Sequence, residues 1–408
     1  MPPAYAAELE LALLTIQRAS VLTKSVLRAL KSNVDAETKA DDSLVTIADF
    51  AAQALIISAV HAAFPNDLFV GEESANALRE NSTLCSRVWE LVCSVRDAEG
   101  TLEEPGLAVP GTVDEMLDII DLGNASDTAH GRVWVLDPVD GTATFMKGQQ
   151  YAVCLALLVD GVQKLGVIGC PNLRPNHETG KISEDDVDVD GFGVMLSAIA
   201  GQRTSIRPIL RAGIGEATPV ERKRKELVGD LSKLDFVECA LGATSLLQSR
   251  HAAVAQRFGA SWPGTVLWSQ QMKYVALTLG ATDVMLRIPA NKERWTQIWD
   301  HAGGQLIFEE VGGVITDFDG GKIDFSQGRK IKGERNLGIN QGTKEPKHAE
   351  ITTNAEIIST IHITSEGKKL HPEDRGNGSD WEEEQRYDRN SIHTTTISLH
   401  DTAVLLSD

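Results

Sequence analysis

The sequence predicts a mixed α/β protein, of the α+β or α/β class, built as two domains followed by a polar tail. Three observations carry this expectation. Stretches with apolar residues at helical spacing alternate with short apolar runs of strand length. Several of those elements end or begin at acidic residues. The last forty or so residues lose the apolar patterning altogether.

From the N-terminus, Ala7 to Leu30 has the spacing of a helix, and Asn33 to Asp42 reads as a polar loop. Thr46-Ile47-Ala48-Asp49 has the form of a capping box with Asp in the reaching-back position, which predicts a helix start there. Phe50, Ala54, Ile57, His61 and Phe64 then fall on one helical face. Leu68-Phe69-Val70 predicts a strand ending in Gly71-Glu72-Glu73-Ser74. Residues 81–127 show few continuous patterns and read as a long excursion. Val133-Trp134-Val135-Leu136 predicts a buried strand, and runs between Tyr151 and Gly169 flank Asp160-Gly161, a hairpin signal. A second α/β region is expected from about Gly191 to Ile339, with a helix and then a strand between Gly264 and Arg287. Asp300 is expected at the N-terminus of a helix that stops at Gly312-Gly313. The domain limits that follow are 1–170, 171–365 and a disordered acidic tail over 366–408, where Glu382-Glu383-Glu384 and Gly376 to Asp380 sit in polar surroundings.

At 408 residues and 42% hydrophobic content the chain can hold two cores, while a net charge of −19 argues against nucleic-acid polymers and anionic membranes as partners. Five unevenly spaced cysteines, none in a Cys-x-x-Cys pair, read as buried thiols in a reducing compartment. No stretch is expected to span a bilayer, and no basic signal-peptide start is seen, so the expected location is cytoplasmic. Oligomeric state is not fixed by the sequence.

The chemistry concentrates at Asp137-Pro138-Val139-Asp140-Gly141-Thr142. Two carboxylates leave one strand end three residues apart, and Pro138 fixes the turn between them. Gly141 permits close backbone approach to a ligand, and Thr142 brings a hydroxyl to a helix start beside free N–H groups. Hard divalent cations take oxygen ligands, and phosphate takes cations plus N–H donors. Two ordinary turns would show the same residues, Glu72 and Glu73 could be surface acids, and Asp49 and Asp300 could be helix-start acids. Asp186 to Gly191 begins like a calcium loop, but its twelfth position is Ser197 rather than Glu, and calcium is not expected there.

Three blocks, Gly71-Glu72-Glu73-Ser74, Trp134 to Thr142, and Ile298-Trp299-Asp300-His301-Ala302-Gly303, resemble the signature blocks of the lithium-sensitive, magnesium-dependent inositol monophosphatase superfamily. Within it, Ala19 to Lys24, Phe64 to Asp67, Tyr151 to Leu157 and Ile168 to Leu173 resemble the fungal 3'(2'),5'-bisphosphate nucleotidases over about the first 340 residues. The resemblance implies a layered α-β-α-β-α sugar-phosphatase architecture and two or three magnesium ions. Glu72, Asp137, Asp140 and Asp300 are implied as side-chain ligands, Val139 as a carbonyl ligand, and Asp137 as the bridge. It also implies Asp49 with Thr142 orienting and deprotonating the attacking water, and backbone N–H groups of Gly141 and Thr142 on the phosphate.

Lys273 and Arg287 match positions that contact the nucleotide, although either could simply snorkel at the end of an element. Two departures stand out. Val237-Glu238 is followed by Cys239-Ala240-Leu241-Gly242-Ala243 instead of Gly-His-Ser-Ser, and Gln270 stands where the family has serine, with Ser269 beside it. Three readings stay open: a magnesium-dependent nucleotidase acting on adenosine 3',5'-bisphosphate in sulfate assimilation, a phosphatase of inositol bisphosphate or monophosphate, and a non-catalytic nucleotide- or metal-binding paralogue.

Overall fold

The structure is a computed structural model that describes residues 4–32, 41–99, 107–175, 180–221, 230–239, 241–242, 246–291, 295–317, 320–331, 339–340, 361–365 and 393–397. Two long helices open the chain, α1 (Ala6–Ser32) and α2 (Asp41–Ala63). A seven-stranded sheet follows, formed by β1 (Leu68–Gly71), β2 (Arg132–Asp140), β3 (Ala152–Val159), β4 (Val162–Cys170), β5 (Val194–Ile199), β6 (Thr204–Pro208) and β7 (Thr218–Pro219) in sequence order. Only the β1–β2 pair is parallel; every other neighbour is antiparallel. The β3–β4 hairpin turns at Asp160 and Gly161, both at positive φ, as the Asp-Gly signal predicts.

The sheet has two buried faces. Ala12, Ile16, Ala19, Ala52, Ile56 and Val60 of α1 and α2 pack with Trp134, Leu136, Leu155 and Leu157 on one side. On the other, α8 (Gln270–Thr278) and α9 (Ala302–Glu309) lie against Cys154, Ile168, Leu196 and Ala198. Helix α9 approaches so closely that a side chain on Gly166 would strike the Gly303 carbonyl at 2.9 Å. A second, parallel sheet of β8 (Phe236–Glu238), β9 (Thr265–Val266) and β10 (Val284–Met285), ordered β10-β8-β9, covers α8 through Val237 and Met285. Its far face carries α7 (Gln248–Arg257) over Phe236, Val284 and Leu286. The layers therefore run α-β-α-β-α. Short pairs β11 (Thr296–Gln297) with β13 (Lys330–Ile331), β12 (Val314–Ile315) with β14 (Ile339–Asn340), and β15 (Ile361–Ser365) with β16 (His393–Ile397) complete the strands.

Several expectations change. Helix α2 begins at Asp41, so Thr46 to Asp49 is helix interior rather than a capping box. The excursion at 81–127 contains helices: α3 (Asn76–Glu80) enters it, α4 (Ser82–Glu99) and α5 (Val113–Asp121) lie within it. They cover the second face of α2, with Val88, Val92, Met116 and Ile120 against Phe50, Ala54 and Leu55. Covered on both sides, α2 can be apolar all round, and Thr46–Ala63 does reach the length and hydropathy of a membrane span, with 78% of that window buried inside the protein. The domain limit expected after residue 170 follows Cys170, the last residue of β4, which pairs with Val194 of β5 in the same sheet. Apart from β16, the tail for which disorder was expected lies outside the described residues.

Backbone carbonyls of the calcium-like loop are already engaged. Lys24 of α1 is buried, and its ammonium donates to Pro171 O at 3.1 Å, Asp188 O at 2.6 Å and Asn172 Oδ1. Arg28, one turn on, donates to the carbonyls of Val189, Asp190 and Gly191. Two side-chain cations thus hold the loop's backbone against α1.

Candidate active site

Parallel pairing of β1 with β2 sets Gly71 opposite Leu136, so Glu72 and Asp137 emerge side by side at the same sheet end. Strand β3 then pairs with Asp137 and Asp140, and the register slips between them at Pro138-Val139. That irregularity follows from chemistry: Pro138 has no N–H to give the ladder, while Asp137 Oδ1 turns back to accept the Val139 N–H at 3.1 Å. Gly141 takes φ 98°, which lets the chain turn directly into α6 (Thr142–Lys147). A Cβ on Gly141 would also meet Ser269 at 2.9 Å.

Asp140 reaches across to the start of α8. Its carboxylate accepts the Gln271 N–H at 2.6 Å, the Gln270 N–H at 3.4 Å and the Ser269 hydroxyl, the site where a helix N-terminus favours negative charge. Asp300 arrives from the segment before α9. The N-cap of α9 is His301 rather than Asp300, and the Asp300 carboxylate turns into the cluster instead of capping. One oxygen each of Asp137, Asp140 and Asp300 lies within 4.8 Å of the others. Among the described residues no Lys, Arg or His forms an ion pair with any of them or with Glu72.

Such crowding raises the cost of ionisation. Asp137 is pushed well up by burial, then by Glu72, Asp140, Asp300 and Asp49. Burial also raises Asp140, although its hydrogen bonds with Ser269 and Gln271 and the nearby Lys273 pull against it. Asp300 is held at about 7 by burial and Asp140, against the pull of Arg287, Thr296 and Lys273. Glu72 keeps a solvent-exposed face, yet partial burial followed by Glu73, Asp300 and Asp140 pushes its carboxyl up to about 8. Asp49 on α2 is buried, raised by burial and then by Glu73 and Glu72, and its Oδ1 has no hydrogen-bond partner. Thr142 donates to Val139 O at 3.4 Å rather than to Asp49. Carboxylates gathered this tightly without a described ion pair, with an orphaned oxygen at their edge, have the donor chemistry of a divalent-cation site.

The second half of the site is cationic. Lys273 is buried in α8, its ammonium lowered by burial and donating to Trp268 O at 3.3 Å. Arg287 donates to Gln270 Oε1 and to Thr296 Oγ1 at 3.3 Å, and its Nε has no partner. Gln270, where the family has serine, therefore occupies one prong of the guanidinium. Leu241 is 53% exposed; Ala240 and residues 243–245 lie outside the described residues.

Sequence reasoning missed the groups that join the halves. Gln305 donates to the Tyr274 hydroxyl at 3.2 Å, which leaves that hydroxyl to donate to His301 Nδ1 at 2.8 Å. His301 Nε2–H then faces Thr296 Oγ1 at 2.9 Å, and Thr296 donates to Asp300 Oδ2 at 3.4 Å. Burial, then Arg287 and Lys273, keep His301 neutral, as this tautomer requires. Arg329 stacks on Trp299 at 4.9 Å and donates to Gly71 O at 2.6 Å, tying the strand end of Glu72 to the block of Asp300. Gln53, one turn after Asp49, holds both backbone groups of Glu73. Only the position of His301 beside Asp300 gave any sequence signal.

The family model described as the inositol monophosphatase family matches residues 7–356. A relative from Emericella nidulans named 3'(2'),5'-bisphosphate nucleotidase is 42% identical over 82% of this chain and 94% of its own length. One of the same name from Schizosaccharomyces pombe is 38% identical over 80% of this chain and 90% of its own. From Candida albicans, 3'(2'),5'-bisphosphate nucleotidase 2 is 35% identical over 83% and 94% respectively. With the layered fold and the acidic strand ends of β1 and β2 in place, the chain belongs to the inositol monophosphatase family.

Proposed function

We propose that this chain is a magnesium-dependent phosphomonoesterase that removes the 3'-phosphate of adenosine 3',5'-bisphosphate, releasing AMP and phosphate, with the 5'-phosphosulfate analogue as a further candidate substrate in sulfate assimilation. The observation that carries the reading is the pairing of an uncompensated cluster of Asp137, Asp140 and Asp300 with two cationic side chains, Lys273 and Arg287, close enough to bias Asp300. A substrate with two separated phosphates matches that polarity. The relatives named nucleotidases support the same choice. Among the described residues no disulfide joins the cysteines, which supports a reducing, cytoplasmic location.

Glu72, Asp137, Asp140, Asp300 and the Val139 carbonyl would hold the ions. Bound there, magnesium would supply charge for the phosphoryl oxygens and the leaving ribose oxygen and would lower the pKa of the attacking water. The protein's own share is positioning and proton transfer. Asp49, pushed up by burial and lacking a partner on Oδ1, is suited to take the proton of the attacking water, with the Thr142 hydroxyl orienting it. No described hydrogen bond uses the N–H of Gly141 or Thr142, so both are available to phosphate oxygens. Lys273 and Arg287 would meet the second phosphate, Arg287 with its unpartnered Nε.

Phosphate release from adenosine 3',5'-bisphosphate and from inositol 1,4-bisphosphate, with the product resolved by phosphorus NMR, tests the proposal. Loss of the 3'-phosphate with retention of the 5'-phosphate is expected. Faster turnover of the inositol compound would move the chain to the inositol phosphatase reading, and no turnover of either to the non-catalytic one.

A further inference from the structure

Glu238, the last residue of β8, is buried, and its carboxylate is fully engaged. Oε1 accepts the Cys239 N–H at 2.8 Å and the Cys239 thiol at 3.0 Å, and Oε2 meets His251 Nδ1. His251, on α7, has no exposed surface. Its other nitrogen, Nε2, receives the Ile288 N–H at 2.9 Å. A backbone N–H can only donate, so Nε2 is unprotonated, Nδ1 carries the proton, and that proton is given to Glu238. The imidazole is neutral and the carboxylate charged. Burial pushes Glu238 up, but the hydrogen bonds from His251 and Cys239 outweigh it and hold the carboxyl below its ordinary value.

This arrangement lies where the sheet gives out. The β10 ladder pairs Val284 with Phe236 and Met285 with Val237, and ends there. Arg287 follows two residues later without a strand partner. Its neighbour Ile288 is gripped instead by the helix: the N–H by His251, and the carbonyl by the Leu247 N–H at 2.7 Å. The chain is thus fixed immediately after the residue whose guanidinium faces Gln270 and Thr296. His251 has no exposed surface and so does not stand in for the histidine of the Gly-His-Ser-Ser stretch that the sequence lacks after Val237-Glu238.

We infer that the Glu238–His251 pair is a positioning device for substrate recognition: acting through the Ile288 backbone, it sets where Arg287 presents its guanidinium to the second phosphate. The inference rests on the reading that Arg287 binds that phosphate. Among the described residues neither Glu238 nor His251 bonds to Glu72, Asp137, Asp140 or Asp300, so the device is expected to act on binding, not on the bond that breaks.

Steady-state kinetics on adenosine 3',5'-bisphosphate and adenosine 3'-monophosphate test it with His251→Leu, Arg287→Ala, the double variant, and Val284→Ala as a control that loosens the same small core. His251→Leu is expected to lower kcat/KM for the bisphosphate about tenfold, mostly through KM, while changing the monophosphate less than about twofold. Added to Arg287→Ala it should have almost no further effect, and Val284→Ala should not reproduce the split. Should His251→Leu fail to fold, His251→Gln, which keeps a donor toward Glu238, is expected to show the same split at smaller size. Equal losses on both substrates, or full additivity with Arg287→Ala, would overturn the inference. If Arg287→Ala itself weakens both substrates equally, the second-phosphate reading is what fails, and the positioning role falls with it.

Discussion

The two halves of the site are built on opposite principles. The acidic half, Glu72, Asp137, Asp140 and Asp300, is under-compensated: its carboxylates face one another without an ion pair and raise one another's pKa. Around Arg287 and Lys273 the cationic half is largely satisfied, with Arg287 engaged by Gln270 and Thr296. Reactive chemistry needs the first state, because an unsatisfied cluster binds ions tightly and places them. Substrate choice can be adjusted in the second, because a change such as serine to Gln270 alters how a cation is shared without disturbing the charge that drives the reaction. The contrast fits the proposed function, with acids at Glu72, Asp137, Asp140 and Asp300 and the departures noted in the sequence lying after Glu238 and at Gln270.

The largest expected effects lie in the acidic half. Asp137→Asn or Asp140→Asn should reduce magnesium-dependent turnover by about a thousandfold or more. Melting temperature in EDTA should stay level or rise for Asp137→Asn, since a repelling charge is removed; a large fall would mark Asp137 as structural instead. Linked to this is a pH effect on the metal-free protein. Groups whose folded pKa is raised are stabilising below their unfolded value and lose that contribution as pH rises through the folded value. With Glu72 at about 8 and Asp300 at about 7 against ordinary values of 4.5 and 3.8, melting temperature in EDTA should fall as pH rises from about 5 to 8. Magnesium should restore it most at the upper end. A flat profile in EDTA would show that the carboxylates do not repel as described.

Lithium sharpens the same half from another side. A small monovalent ion supplies one charge where the cluster calls for two, so turnover in lithium chloride should be several-fold slower than in potassium chloride at matched ionic strength. Equal rates would place the chain outside lithium-sensitive behaviour.

What the sequence disclosed divides along similar lines. Strand ends such as Gly71-Glu72 and Asp137 to Thr142 were legible because a run of apolar residues followed by acids is a local pattern, and the β1–β2 pairing needs only that both runs be strands. The α3–α5 helices were not, because their apolar stripes are narrow and match only the far face of α2, a surface no local window contains. Tyr274, Thr296 and Gln305 were invisible for a related reason: a buried polar relay looks like scattered surface residues until folding brings its members together. Asp300 was placed one residue off, as the helix cap, because an acid before Ala302-Gly303-Gly304 satisfies the cap pattern whether or not it caps.

In the cationic half, Arg287→Ala should raise KM for adenosine 3',5'-bisphosphate by about ten- to a hundredfold while leaving a monophosphate nearly unchanged. An equal effect on both would move Arg287 from recognition to general electrostatics. The smallest effect is expected where the halves join. Thr296→Val removes the hydroxyl shared by Arg287, Asp300 and His301, and should cost about three- to tenfold in kcat/KM. If that loss is confined to KM for the bisphosphate, Thr296 serves Arg287; if kcat falls on every substrate, it serves Asp300.

In the proposed function the acidic cluster is a divalent-cation site for phosphate-ester hydrolysis and the cationic half selects a nucleotide carrying a second phosphate. The most direct measurement is the rate of phosphate release from adenosine 3',5'-bisphosphate, adenosine 3'-monophosphate and inositol 1,4-bisphosphate, each in magnesium and in EDTA. Turnover is expected in magnesium only, fastest with adenosine 3',5'-bisphosphate. Turnover that persists in EDTA would contradict the role of the acidic cluster, and an inositol rate above the nucleotide rate would contradict the selection.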